Sequence, residues 1–140
     1  MALKGVAELT RKLEEMGKLE DGKALRAAVR AGIKPATQKA KAMIPQGVDA
    51  HRTYKGRLVA PGFARRNIRA ITRLSKDKQK ATARLGVRNE AFYATQFVEI
   101  GTSKMAPRPW LRPAFASSQS EAEKAMAASL QKSILKAAKK

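Results

Sequence analysis

A chain of 140 residues without cysteine is expected to form a single domain, 1–140, and excludes disulfides and thiolate metal sites. Its net charge of +19, from 30 Lys+Arg against 11 Asp+Glu, favours an acidic partner, either nucleic acid or a negatively charged protein surface. No apolar run approaches the roughly 20 residues of a membrane span, and no signal-peptide pattern opens the chain. Apolar residues make up 44%, but 26 of them are alanine, so the core is expected to be thin.

In chain order, Leu3, Val6, Leu9, Leu13 and Met16 form one stripe of a helix that Gly17 ends. Asp21 can cap a second helix reaching about Ile44, with Leu25, Val29, Ile33, Ala36, Ala40 and Met43 as its stripe. Pro35 lies inside that stripe, and a kink near Ala31 is expected because the stripe continues in phase. Lys23, Arg26, Arg30, Lys34, Lys39 and Lys41 read as a solvated face. From about 45 to 66 periodicity is lost, and Pro45, Gly47, Gly56, Pro61 and Gly62 predict an irregular basic loop. Between Asp49 and Lys76 the cations Arg52, Lys55, Arg57, Arg65, Arg66, Arg69 and Arg73 face no acid beyond Asp49. They are the candidate partner- or DNA-facing surface.

Two strands are predicted next, Asn67 to Leu74 and Lys80 to Val87, joined by a hairpin loop at Ser75–Gln79. The second alternates cleanly, with Ala81, Ala83, Leu85 and Val87 on one face. One helical turn carrying Phe92 and Tyr93 is expected to lead into a strand at Phe97–Ile100. A last helix runs from Pro113 to near Ala137, with Phe115, Ala122, Met126, Leu130 and Ile134 inward and Ser118 and Glu121 inside it. The fold class is therefore α+β: two N-terminal helices and a long C-terminal helix on a small, mainly antiparallel sheet.

The search for chemistry is mostly negative. His51 is the only histidine and has no second ligand at metal-site spacing, so it reads as a solvated loop residue. No nucleophile–His–acid set, phosphate loop or paired-carboxylate motif appears. The chain is read as a non-enzyme without cofactor or metal. Glu99, an acid within an apolar run, needs a partner if buried, and Arg108 or Arg112 could reach back to it.

Glu99 belongs to the chain's most distinctive stretch. Phe97-Val98-Glu99-Ile100 ends at Gly101, which suits a turn needing positive φ. Thr102 to Arg112 then forms a proline-stiffened arm bearing the single tryptophan, Trp110, and Pro113 suits the first turn of a helix. Phe97, Val98, Glu99, Gly101 and Thr102, followed by Pro109, Trp110, Leu111, Arg112 and Pro113, resemble the signature of a tailed-phage family. Its members are small neck and tail-completion proteins of lambdoid siphophages, head–tail joining or minor tail components. Ile100 stands where that pattern usually has an aromatic, and Trp110 where it usually has Phe. The Gly-Val-Ala-Glu-Leu opening and the helix end at Ile44-Pro45 fit the family as well.

The resemblance implies a structural virion protein made in the bacterial host cytoplasm. It implies a homo-oligomeric, hexameric ring at the neck or head-proximal end of the tail, in contact with other neck and tail proteins and non-specifically with DNA in the channel. The basic loop would then engage ring neighbours or line that channel. The alternative, favoured by composition alone, is a basic, sequence-independent nucleic-acid-binding protein. The chain lacks a helix-turn-helix, a zinc module or strand aromatics arranged for base stacking.

Overall fold

The computed structural model describes residues 22–88 and 90–138. The predicted first helix and the Asp21 cap lie outside the described residues. Those described form an α+β fold of four helices and two small antiparallel sheets. Helix α1 spans Lys23–Met43. Strands β1 (His51–Arg52) and β2 (Leu58–Val59) precede a single-turn helix α2, Phe63–Arg66. Strands β3 (Ile68–Leu74) and β4 (Ala81–Val87) follow. Helix α3, Ala91–Ile100, and the long α4, Leu111–Ala138, complete the order.

These elements gather into two compact units, and α1, the β3–β4 hairpin and α4 each contribute to both. The first comprises the described residues of Met1–Ile33, Thr72–Ala83 and Ser120–Lys140. Within it Gly32 permits a close helix approach: a Cβ there would stand 2.4 Å from Met126 Cγ. The hairpin loop falls at Ser75–Gln79 as expected. Ser75 N–H donates to the Lys80 carbonyl (2.7 Å), and the Asp77 carboxylate accepts from the Ser75 hydroxyl and from Gln79 N–H.

The second unit comprises Lys34–Ile71 and Arg84–Gln119. Its core is Ala40, Ile44, Ile68, Trp110 and Ala114, with Ala64, Leu85, Val87, Val98 and Leu111 packed around them. Inward alternation of β4 is as the sequence predicts, with Leu85 and Val87 reaching this core. Helix α1 runs through Pro35 without a break. Its buried positions include Ala28, Ile33, Ala36 and Ala40, but Ile44 closes the stripe while Met43 is exposed.

Three expectations need correction. Phe97–Ile100 is the last part of helix α3 and not a strand. A four-residue segment with three apolar positions is compatible with either state, and here the helix-period neighbours decide. Ala91, Thr95 and Val98 turn inward at i, i+4 and i+7, and the Thr95 hydroxyl donates to Ala91 and Phe92 carbonyls within the same helix. Second, the segment at 45–66 is not wholly irregular. His51 pairs with Val59 and Arg52 with Leu58, and Gly56, at φ +79°, helps close the turn between them. Third, the inward stripe of α4 begins with Ala114 and Ser118, whereas Phe115 is exposed.

Candidate functional site

The signature residues meet at the junction of α3 and α4 in the second unit. Helix α3 ends when Gly101 N–H donates to the Phe97 carbonyl (2.7 Å), and Gly101 turns the chain at φ +82°, ψ 175°. Thr102 and Met105 exchange backbone hydrogen bonds of 2.9 and 3.2 Å, making a tight loop. The arm then returns along the helix it has just left, with Arg108 N–H donating to the Val98 carbonyl at 2.8 Å. Trp110 is only 2% exposed, and its carbonyl accepts the first helical bond of α4, from Ala114 N–H.

A helix start leaves backbone N–H groups without intrahelical acceptors, and they concentrate positive potential. Trp110 is no capping residue, and no acid lies in the first turn of α4. Glu99 supplies what is missing from the end of the preceding helix. Its Oε2 accepts from Trp110 N–H (2.7 Å) and Leu111 N–H (2.9 Å), and its Oε1 from Arg112 N–H (3.2 Å). Pro113 falls in the first turn, where its missing N–H costs nothing.

The arginine clamp expected from the sequence is thus mainly a backbone clamp. Arg112 Nε is 3.9 Å from Glu99 Oε1, but its side chain is 84% exposed against 12% for Glu99, so the ion pair is screened. Arg108 contributes its main-chain N–H, to Val98. Burial pushes the Glu99 carboxyl up, but the three N–H donors outweigh it and hold the group below its ordinary value. A depressed folded-state pKa means that Glu99 stabilises the fold above the unfolded carboxyl pKa of about 4.3. That contribution is lost as pH falls through the lower, folded value. Glu99→Gln places an amide group against N–H donors and is expected to cost about 1–2 kcal/mol near neutrality. Urea midpoints of the two proteins should converge as pH falls below the unfolded carboxyl pKa and through the lower, folded one.

The basic residues form a second feature. Arg52, Lys55, Arg57, Arg65, Arg66 and Arg69 are exposed in the second unit, whereas Arg73 belongs to the first. Several are tied locally: Arg52 Nη1 donates to the Gly56 carbonyl (2.9 Å), and Arg66 donates to those of Pro61 (2.7 Å) and Ala60 (3.2 Å). Arg57 lies over the Phe63 ring and Lys55 over the Tyr54 ring, at 6.0 and 5.6 Å. These contacts hold the β1–β2 turn while leaving cationic faces in solvent. His51 is exposed, and no cluster of metal-ligating side chains occurs among the described residues. Nor is any helix among them long and apolar enough to cross a membrane.

Between the β1–β2 ladder and α3 lies a cavity of about 380 Å³. Ile44, Phe63, Ala94, Phe97 and Val98 give it apolar walls, and Arg52, Arg65 and Glu90 add charge. Tyr54 and Tyr93 also line it, their rings edge to face at 4.9 Å. Sequence reading did not find this cavity, because it depends on α3 being a helix through Ile100.

Set beside known proteins, the chain falls in a class of virion components, those of phage tails. The family model described as "Bacteriophage HK97-gp10, putative tail-component" matches residues 7–101, and the chain belongs to this HK97-gp10-like family. The match takes in the α1 helix, both hairpins and α3 up to Gly101; Thr102 onward, including Trp110, lies beyond it. Comparison with curated proteins and with solved structures finds no match.

Proposed function

We propose that the protein is an oligomeric ring component at the neck or head-proximal end of a phage tail, acting in tail completion and head–tail joining. The observation that carries this reading is membership of a phage tail-component family over residues 7–101. The structural signature from Phe97 to Pro113 would serve as the pivot that fixes α4 against α3. The exposed cations would face acidic surfaces of other neck and tail proteins, or the DNA passing through the ring. Electron microscopy of particles from a mutant lacking this gene tests the role. Filled heads beside separate, finished-looking tails support joining, tails of uncontrolled length indicate termination, and normal particles contradict both.

The net charge of +19 keeps the nucleic-acid reading as the second one. On the structural reading, purified protein is expected to bind DNA without sequence preference. Affinity should fall steeply with salt, since counterion release drives such binding. A preferred sequence that survives competition by random DNA in a mobility-shift assay would reverse the ranking.

A further inference from the structure

Helix α3 is apolar on two sides. Ala91, Thr95 and Val98 face inward, while Tyr93, Phe97 and Ile100, also at i, i+4 and i+7, are 52%, 51% and 60% exposed. Large apolar side chains grouped in this way on a surface mark a site of interaction. Tyr93 and Phe97 also line the 380 Å³ cavity, so stripe and cavity are continuous. Arg52 and Arg65 stand on the same wall system, and Lys55 and Arg57 flank it on the β1–β2 turn.

We propose that this cavity and the Tyr93–Phe97–Ile100 stripe dock an acidic segment of another virion protein. One large apolar side chain of that segment enters the cavity, and its flanking carboxylates meet Arg52 and Arg65. Charge complementarity selects the occupant. A second copy of this chain brings a further +19 to a face already rich in arginine. Nucleic acid would satisfy the arginines, but the mainly apolar walls offer nothing to a phosphate or sugar. An apolar anchor surrounded by carboxylates fits both features, in the manner of an interface whose affinity centres on one pocket. The inference rests on the virion reading only for the source of the segment.

Fluorescence anisotropy with two synthetic peptides tests it, one with a central phenylalanine among aspartates and glutamates, the other with serine in its place. The phenylalanine peptide is expected to bind about tenfold tighter, the effect of one pocketed anchor. Ala94→Trp, which fills the cavity from an exposed helix position, and Phe97→Ala, which strips one wall, should each abolish that difference. Both should leave the salt-sensitive part of binding in place and keep the wild-type circular dichroism. Equal binding of the two peptides overturns the proposal. So does oligothymidine binding, or self-association in sedimentation, that Ala94→Trp abolishes. If the tenfold difference is absent while particles still require the chain for assembly, the docking site falls and the virion role stands.

Discussion

Gly101→Val is expected to leave little folded protein. Gly101 sits at φ +82°, ψ 175°, a region that side-chain-bearing residues essentially do not occupy. Steric crowding adds to the backbone strain. A Cβ would stand 2.9 Å from the Met105 carbonyl oxygen and 2.9 Å from both Pro107 N and Pro107 Cδ. Two of these are main-chain atoms and the third is in a ring, so none can swing aside as a flexible side chain would. Strain and clash together put the loss at about 3 kcal/mol or more. The consequence reaches beyond the turn, because the arm from Thr102 to Pro109 is what delivers the N-terminus of α4 to Glu99. A urea titration followed by circular dichroism measures the loss, with Gly86→Ala as control, since a Cβ at Gly86 meets open space.

Trp110→Ala should be comparably severe. The indole fills the centre of a small core whose other fully enclosed members include Ala40 and Ala114, which bury little surface of their own. Truncating a buried aromatic typically costs about 3–5 kcal/mol, and alanine neighbours cannot expand into the void. Trp110→Phe gives a different outcome. Trp110 Nε1 is buried with no acceptor, and a buried donor left unmet costs about 1–3 kcal/mol. Phenylalanine removes that donor along with part of the ring, so its net cost should stay under about 1.5 kcal/mol. Equal destabilisation by Ala and Phe would mean that the indole N–H has an acceptor that matters. His51→Ala, at an exposed position, serves as the silent control.

What could be read from the sequence follows from what side chains encode. The α1 stripe, the β3–β4 hairpin with its Ser75–Gln79 loop, the Gly101 turn and the helix start at Leu111–Pro113 all have signatures in residue type and spacing. Phe97–Ile100 reads as a strand from sequence because its three apolar residues, two of them β-branched, carry no period of their own. The helix is recognised only from the set Ala91, Thr95 and Val98, which extends it backward. The β1–β2 ladder escaped notice because two-residue strands fall below any periodic signal, although Lys55-Gly56 is turn chemistry. The partners of Glu99 were missed for a deeper reason. Main-chain N–H groups have no letter in a sequence, so the visible counter-charges for Glu99 are side chains such as Arg108 and Arg112. A helix start at Trp110–Pro113 with no capping residue of its own was the available clue.

A structural part of the tail must be present in every finished particle. Quantitative mass spectrometry of purified virions, banded to remove free protein, measures that. Peptides from this chain are predicted at a fixed, small copy number per particle, unchanged by nuclease treatment and by high-salt washing. Absence from purified particles, or loss from them in step with removal of exposed DNA, would contradict a structural role in the tail.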